Sequence, residues 1–328
     1  MNAIVFSTKP FEIEFLNKAN KGHDLTFTAS QLNQSNVSRA NGYDAVVLFS
    51  NDIANREVMQ KLSEARVKYI VTRSAGHDHI DLEAANDFHI EVANVPAYSP
   101  YSVAEHAILL MLSLSRRLIK SNDQFRENNF LLNDLIGTEL HSCTVGVIGT
   151  GKIGETVIKI LNGFGCRIIA HDIVRNKELE DKLDVKYCSL DTLLENSDIV
   201  TIHVPLNNQT KHLLDESKFQ KMKKGSIIIN TSRGGVINTN DLLLALEEKH
   251  VAYAGLDVFE NEKPLYFKDH SGEEIKDDMF NKLKSLPNVL MTAHQAFLTE
   301  TALKDIAETT ILNLDYFERR ETNPNLII

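Results

Sequence analysis

The sequence lacks the features of exported, membrane-spanning and nucleic-acid-binding proteins. It has only three cysteines in 328 residues, Cys143, Cys166 and Cys188, and none forms a C-x-x-C pair, so we expect reduced thiols of a cytoplasmic protein. No apolar run approaches the roughly 18 residues of a membrane helix, and no leader-like stretch precedes the first predicted strand. Its 45 acidic residues outnumber 35 Lys and Arg, which argues against a nucleic-acid partner.

Apolar residues are plentiful, at 43% of the chain, and the length suffices for two domains. From Ala3 to Asn94 short apolar strands alternate with helical patterns, and the alternation resumes after Thr144. This rhythm predicts an α/β protein with parallel sheets. Pro96 and Pro100 interrupt it, which marks a natural crossing point between domains.

A helix predicted over Val103–Leu118 is apolar on almost every face. Such a helix has to be covered all round. Ordinary core burial explains this pattern, and a dimer interface is the alternative.

Thr144 to Asp172 has the pattern of a complete nucleotide-binding unit. A buried strand leads into the glycines Gly149, Gly151 and Gly154, spaced as G-x-G-x-x-G, and an apolar-faced helix and a second strand follow. The first glycine permits a tight turn, the second lets a pyrophosphate approach the backbone, and the third lets helix pack on strand. Lone glycine triplets are common, but the ordered sequence of strand, glycines, helix and strand favours dinucleotide binding.

Asp172 closes the second strand, 21 residues after Gly151. A carboxylate at this position accepts hydrogen bonds from the adenosine ribose and repels a 2′-phosphate, so we expect NAD rather than NADP. Arg175 lies close enough in sequence to weaken that preference.

Three side chains follow later predicted strands and suit the oxidation of a hydroxy acid. Arg233 offers a planar fork for a carboxylate, and His294 can take or give a proton. Glu262 would favour the charged imidazolium and fix the ring. Each also has an ordinary interpretation, as a loop charge, a satisfied histidine or one acid of an acidic stretch, but together with the fingerprint they predict a dehydrogenase site.

The loop His77-Asp78-His79 carries potential metal ligands. Neighbouring side chains in a loop diverge, and no further ligand cluster is evident in the sequence. We therefore predict no metal site.

Five motifs together resemble the D-2-hydroxy acid dehydrogenase family, over most of the chain. They are AEHA at 104–107, GTGKIG at 149–154, NTSRG at 230–234, LDVFENE at 256–262 and AHQAFLTE at 293–300. The 32-residue interval from Glu262 to His294, lengthened by a charged stretch at 263–286, resembles the D-lactate branch of the family. The resemblance implies NADH-dependent reduction of pyruvate to D-lactate and its reverse.

The resemblance also implies residue roles. It makes Arg233 the substrate-carboxylate ligand, His294 the acid/base and Glu262 its partner. Backbone N–H groups near Ala75 and Gly76 would help to hold the carboxylate, and the side chains of Tyr98 and Phe297 would lie near the substrate's third carbon. The implied cofactor positions, beside the three glycines, are Lys152, Ile153, Asp172, Val204, Pro205, Thr210, Thr231, Ser232 and Asp257.

The resemblance implies two doubly wound parallel-sheet domains and a homodimer or homotetramer. Residues 1–98 with 299–328 would form a flavodoxin-like substrate domain, and residues 99–298 an inserted Rossmann NAD-binding domain, with the active site in the cleft between them. Two alternatives stay open. One is a dehydrogenase for a bulkier 2-keto acid, since the His77–His79 loop departs from the family pattern. The other is an NAD(H)-sensing regulatory scaffold.

Overall fold

A computed structural model describes all 328 residues. They form two compact units, Met1–Ser99 with Leu298–Ile328, and Pro100–Phe297. No helix combines the length and apolar character that a membrane crossing requires.

The first unit is built on a five-stranded parallel sheet of order β2-β1-β3-β4-β5. Its strands are β1 Asn2–Val5, β2 Asp24–Phe27, β3 Ala45–Leu48, β4 Tyr69–Thr72 and β5 Glu91–Ala93, and its helices are α1 Pro10–Ala19, α2 Arg56–Glu64, α3 Leu82–Asp87 and α12 Glu300–Arg319. The central strand β3 is buried along its whole length, because helices cover both faces of the sheet.

The chain's last residues also belong to this sheet. Val92 donates its N–H to the carbonyl of Ile328 at 2.8 Å, and Ile327 donates to the carbonyl of Val92 at 2.7 Å. An antiparallel bridge joins Ala93 to Leu326. The segment 325–328 therefore runs along the outer edge of β5.

The second unit holds a seven-stranded parallel sheet of order β12-β11-β10-β9-β6-β7-β8, the doubly wound order of a dinucleotide-binding domain. Its strands are β6 Thr144–Ile148, β7 Arg167–His171, β8 Lys186–Tyr187, β9 Ile199–Ile202, β10 Ser226–Asn230, β11 Val251–Leu256 and β12 Val289–Met291. Its helices are α4 Pro100–Ser115, α5 Leu118–Arg126, α6 Lys152–Phe164, α7 Lys177–Leu183, α8 Leu190–Asn196, α9 Glu216–Phe219, α10 Thr239–Glu247 and α11 Asp278–Ser285. The predicted fold class of two doubly wound parallel sheets is confirmed.

Helix α4 differs from its prediction at both ends. It begins at Pro100, whose fixed φ suits a first helical position, and ends at Ser115. Arg117 then adopts a left-handed backbone at φ +55°, so a separate helix follows. Tyr101 and Leu109 are 53% and 52% exposed, so the core of the single chain covers this helix only in part, and the dimer interface stays a prediction.

The charged stretch 263–286, which shows little periodicity in the sequence, contains helix α11. Asp277 caps its first turn by accepting a hydrogen bond from the N–H of Phe280 at 2.9 Å. Leu283 is the buried residue of this short helix. Met279, Phe280 and Leu286 pack against the same core at helical spacing, so an apolar period is present, but only over this one short helix.

Candidate active site

The fingerprint turn, Gly149–Gly154, joins β6 to α6. Gly149 has φ +90°, and a Cβ there would lie 2.6 Å from the carbonyl oxygen of His203. A Cβ on Gly154 would lie 1.9 Å from the carbonyl oxygen of Gly149, whereas one on Gly151 would meet nothing within 4 Å. The fold itself therefore requires glycine at the first and third positions, and open space lies beside the second.

The start of α6 offers backbone donors. The N–H groups of Lys152 and Ile153 make no hydrogen bond within the chain, as the geometry of a helix N-terminus dictates. With the partial positive charge of the helix end, these groups fit a pyrophosphate. Together with the space beside Gly151, this donor set fits a dinucleotide.

Asp172 follows β7 and lies beside this turn. Its Oδ2 accepts the N–H of Thr150 at 2.6 Å and the Thr150 hydroxyl at 3.0 Å, and its Oδ1 accepts the N–H of Val174 at 3.2 Å. Partial burial raises the pKa of Asp172, but these hydrogen bonds outweigh it and hold the pKa below its usual value. The carboxylate is thus ionised and fixed in place. Arg175 is largely exposed, and its guanidinium lies 3.9 Å from Glu180.

The other predicted cofactor residues lie on loops after β9, β10 and β11 of the same sheet. The carbonyl of Pro205 accepts the hydroxyl of Thr210 at 2.5 Å, which closes the loop that includes Val204. Ser232 donates both its N–H and its hydroxyl to Oδ1 of Asn230, at 3.0 and 2.9 Å. Oγ1 of Thr231 is buried without a hydrogen-bond partner.

Arg233 follows directly after this group. Asn230 donates its side-chain amide to the carbonyl of Arg233 at 3.0 Å, which fixes the backbone there. The next residue, Gly234, packs on the loop after β11 so closely that a Cβ would lie 2.1 Å from the carbonyl carbon of Phe259. The Arg233 turn is therefore built against the loop that carries Glu262.

Glu262 and His294 form a hydrogen-bonded pair across two neighbouring strand ends. Oε2 of Glu262 accepts the N–H of Phe259 at 3.0 Å, and Oε1 lies 2.6 Å from Nδ1 of His294. The two side chains are 18% and 17% exposed, so the pair is screened from solvent but not sealed. With Nδ1 on the carboxylate, Nε2 is the ring atom available for proton exchange.

The environment of this pair is apolar on one side. The ring of Phe267 lies 5.7 Å from the His294 ring, centroid to centroid. Tyr266 is buried next to it, and burial, with the charges of Glu262 and Asp257, raises the pKa of its hydroxyl well above the usual range. Tyr266 therefore keeps its proton and leaves the acid/base role to His294.

A second histidine, His203, directly follows strand β9, which β10 separates from β11, and it has a different character. Its Nε2 lies 2.9 Å from Oγ1 of Thr201, and its Nδ1 is buried without a partner. Desolvation of the ring lowers its pKa to about 3, so it is neutral at physiological pH. His203 cannot serve as a proton donor there.

In the first unit, the loop after β4 has its carbonyl groups tied down. The carbonyls of Ser74, Ala75 and Gly76 accept hydrogen bonds from Val95 N–H at 3.2 Å, the Asn94 amide at 2.8 Å and the Ser74 hydroxyl at 2.7 Å. The N–H groups of Ala75 and Gly76 make no hydrogen bond within the chain. Adjacent free N–H groups of this kind suit a carboxylate.

The remaining predicted positions lie in separate units. Tyr98 is half-buried near the end of the first segment, and Phe297, the last residue of the second unit, is 9% exposed. In the His77–His79 loop, Nε2 of the buried His79 lies 3.3 Å from the hydroxyl of Thr72. The group of side chains close enough to share a metal ion is elsewhere, at His23, Asp315 and Glu318.

The sequence interpretation missed one arrangement, which surrounds Asp257. This carboxylate is 1% exposed and accepts hydrogen bonds from the turn that carries His294. Helix α4 contributes His106 to the same group, with Nε2 3.0 Å from the hydroxyl of Thr292. His106 lies within the AEHA motif, so that motif was the available signal.

Comparisons with known proteins identify the family of the chain. Residues 108–296 match the NAD-binding domain of the D-isomer specific 2-hydroxyacid dehydrogenases. The chain is 42% identical over 330 residues to the D-lactate dehydrogenase of Escherichia coli K12, with 100% of both covered. It is 39% identical over 328 residues to an aromatic 2-oxoacid reductase of Clostridium sporogenes, covering 99% of this chain and 98% of the relative.

A solved structure is similar over the whole chain as well. The D-lactate dehydrogenase of Aquifex aeolicus, complexed with NAD and lactic acid, matches with a TM-score of 0.91 and 32% identity. The match covers 99% of each chain. The likeness thus extends through both compact units.

Proposed function

This chain belongs to the D-isomer specific 2-hydroxyacid dehydrogenase family, and we propose that it acts as an NAD-dependent D-lactate dehydrogenase with the residue roles that follow. The observation that carries the proposal is the 2.6 Å contact between Nδ1 of His294 and Oε1 of Glu262 on the NAD-binding domain. Such a pair stabilises an imidazolium, which can donate a proton from Nε2.

Bound NADH supplies the hydride that reduces the C2 carbonyl of pyruvate. His294 gives the proton from Nε2 to the carbonyl oxygen as the negative charge develops there, and the neutral ring then regains a proton from solvent. In the reverse direction the neutral ring accepts the hydroxyl proton of D-lactate. Glu262 keeps the ring oriented and supports its charge in both directions.

The guanidinium of Arg233 binds the substrate carboxylate, since its planar fork matches two oxygens at once. For the N–H groups of Ala75 and Gly76 in the first unit we propose a role as carboxylate donors, which their unbonded state supports. On the cofactor side, Lys152 and Ile153 hold the pyrophosphate through their N–H groups, and Asp172 accepts the ribose hydroxyls.

Pyruvate is the preferred substrate because two aromatic side chains, Tyr98 and Phe297, are assigned to the substrate's third carbon. Aromatic rings at that carbon would leave room for a methyl group and would crowd longer chains. A hydrophobic pocket discriminates by only about 1 to 3 kcal/mol per methylene, so 2-ketobutyrate would be used poorly rather than refused.

A second candidate is a dehydrogenase for bulkier 2-keto acids, which the likeness to an aromatic 2-oxoacid reductase favours. Values of kcat/KM for pyruvate, 2-ketobutyrate, 2-ketoisocaproate and phenylpyruvate decide between the two. Pyruvate should give the highest value, and a higher value for phenylpyruvate or 2-ketoisocaproate would establish the second candidate. A complete lack of turnover with all four would favour an NAD(H)-sensing scaffold.

We also propose a homo-oligomer, a dimer or tetramer, in which a second copy covers the segment after α4. Seven large apolar side chains of this segment are between 48% and 82% exposed: Leu118, Ile119, Phe125, Phe130, Leu131, Leu132 and Ile136. Exposed apolar surface of this density is typical of an interface. Sedimentation of Leu132→Asp should show a smaller species than the wild type, with Ile173→Asp, an apolar site elsewhere that is 91% exposed, as the control.

A cytoplasmic location accompanies this function. Cys143, Cys166 and Cys188 are free thiols, and burial raises the pKa of each, which keeps them protonated and unreactive. Fractionation of cells that express the chain would check this part of the proposal.

A further inference from the structure

We call the segment Thr292–Ala296 the His294 turn. Asp257 accepts hydrogen bonds from this turn with its backbone carbonyl and with both carboxylate oxygens. Its carbonyl accepts the N–H of His294 at 2.7 Å. Its Oδ1 accepts the N–H of Gln295 at 2.9 Å, and its Oδ2 accepts the N–H of Ala296 at 2.9 Å. Three consecutive N–H groups thus converge on one buried residue.

The backbone at the centre of this turn is strained. His294 has φ +52°, a left-handed conformation that side chains with a Cβ disfavour. Residues held in this way persist only where their surroundings impose the conformation. Here the surroundings are Asp257, whose backbone carbonyl accepts the N–H of His294 and whose carboxylate accepts the next two N–H groups.

Two further side chains hold that carboxylate. The hydroxyl of Thr292 donates to Oδ1 of Asp257 at 2.5 Å, and Nε2 of His106 lies 3.0 Å from the same hydroxyl oxygen and 3.5 Å from Oδ1. Because the Thr292 proton points at Asp257, its oxygen accepts the proton of His106 Nε2. His106 is 10% exposed, so this chain of hydrogen bonds is shielded from water.

We propose that His106 and Thr292 are positioning residues for the reaction, which through Asp257 hold His294 in its left-handed conformation. That conformation places Nδ1 on Glu262 and leaves Nε2 for the substrate. The proposal rests on the proposed acid/base role of His294. The Asp257 carboxylate, which was predicted as a cofactor residue, then also has the structural role of holding the His294 turn.

The test uses the whole protein and two matched pairs of variants. Thr292→Val keeps the shape and removes the hydroxyl, and Thr292→Ser keeps the hydroxyl. His106→Leu removes the Nε2 donor, and His106→Gln supplies an amide donor at similar reach. The measurements are kcat, KM for pyruvate, the dissociation constant of NADH, and the isotope effect on kcat with NADH deuterated at the transferred position.

Thr292→Val and His106→Leu should lower kcat between about tenfold and a hundredfold, the cost of a misplaced catalytic group. The isotope effect should rise because the chemical step becomes rate-limiting, and KM and NADH binding should stay within about threefold of wild type, far less than the change in kcat. Thr292→Ser and His106→Gln should recover most of the rate. A loss of folded protein alone would lower the number of NADH sites and leave the isotope effect unchanged.

Wild-type kcat and isotope effect in both Thr292→Val and His106→Leu would overturn the proposal, and so would equal losses in Thr292→Ser and Thr292→Val. Failure of the underlying catalytic assignment looks different. If His294→Gln keeps the wild-type rate, the acid/base role is wrong, whereas an inactive His294→Gln with a normal Thr292→Val rejects the positioning role only. In the His294→Gln background, Thr292→Val should cause no further loss.

Discussion

Two turns at the carboxyl ends of strands in the seven-stranded sheet are built alike and used differently. The fingerprint turn follows β6, and the His294 turn follows β12. Each contains one residue with left-handed backbone, Gly149 or His294. In the His294 turn the neighbouring N–H groups bond to Asp257, whereas those of Lys152 and Ile153 have no partner in the chain.

The difference between the two turns is that one set of N–H groups already binds a carboxylate of the protein and the other does not. A turn whose N–H groups already hold a carboxylate becomes a rigid support for a side chain, here His294. A turn whose N–H groups are unbonded can receive the anion of a ligand. Substitutions in the His294 turn should therefore change activity by altering a side chain. Substitutions in the fingerprint turn should change NADH affinity by blocking the approach of the cofactor to the backbone N–H groups.

The largest effect is expected from His294→Gln, which keeps a polar side chain but cannot exchange a proton. We expect kcat for pyruvate reduction to fall by about 10²- to 10⁴-fold, the range for loss of a general acid. His203→Gln is the matched control, because a ring with a pKa of about 3 is already neutral. A comparable loss of kcat in His203→Gln would mean that the loss in His294→Gln is not specific to proton exchange.

Gly151→Ala tests the fingerprint turn. The added Cβ meets nothing within 4 Å, so the melting temperature should be unchanged, while NADH affinity should fall by about tenfold to a hundredfold, equivalent to roughly 1.4 to 2.8 kcal/mol. Gly154→Ala should instead lower the melting temperature, since its Cβ would lie 1.9 Å from a carbonyl oxygen. Fluorescence titration and thermal unfolding give both readings. Unchanged NADH affinity in Gly151→Ala would contradict an open pyrophosphate site.

Glu262→Gln removes the charge beside His294 and should lower kcat by about tenfold at neutral pH. Pyruvate reduction needs the imidazolium, which the carboxylate at 2.6 Å stabilises, so the loss should appear in kcat and not in KM for pyruvate. Glu260→Gln is the control, since Glu260 pairs with His212 at 2.5 Å instead. A wild-type kcat in Glu262→Gln, or an equal loss in Glu260→Gln, would contradict the proposed role of this pair.

The smallest effect is expected at Asp172. Its pKa lies below the usual value, so it is charged at neutral pH, and Asp172→Ala removes both the ribose acceptor and the repulsion of a 2′-phosphate. NADH affinity should fall about fivefold, less than the cost of a fully buried charged hydrogen bond because the group is partly solvated. The preference over NADPH should narrow, and Asp172→Asn separates charge from hydrogen bonding. Equal losses for both cofactors would argue against this site.

The local parts of this architecture could be read from the sequence. Apolar runs predicted the alternation of strands and helices, and β10, for example, coincides with the apolar run from Ser226 to Asn230. The glycine turn is equally local, because its constraints act within a few residues of Gly149. Residue type and strand-end position also singled out Arg233, Glu262 and His294 as candidates.

Non-local contacts could not be predicted in the same way. Thr292 and His106 are 186 residues apart, and no periodicity connects them. The left-handed backbone of His294 depends on the carboxylate of Asp257, which a strand-by-strand prediction treats as one more polar residue at a strand end. His203 and His294 look alike in sequence, and only their surroundings give one a neutral ring and the other a carboxylate partner.

The segment 325–328 along β5 has a consequence for the behaviour of the protein in concentrated solution. An outer strand with free N–H and C=O groups is a template for pairing with a strand of another molecule, which leads to aggregation. Val92 instead bonds to Ile327 and Ile328 of its own chain. The opposite edge is the four-residue strand β2, too short to recruit a long partner. The first unit is thereby protected against intermolecular strand addition. The segment 325–328 covers the edge at β5, and the edge at β2 is too short.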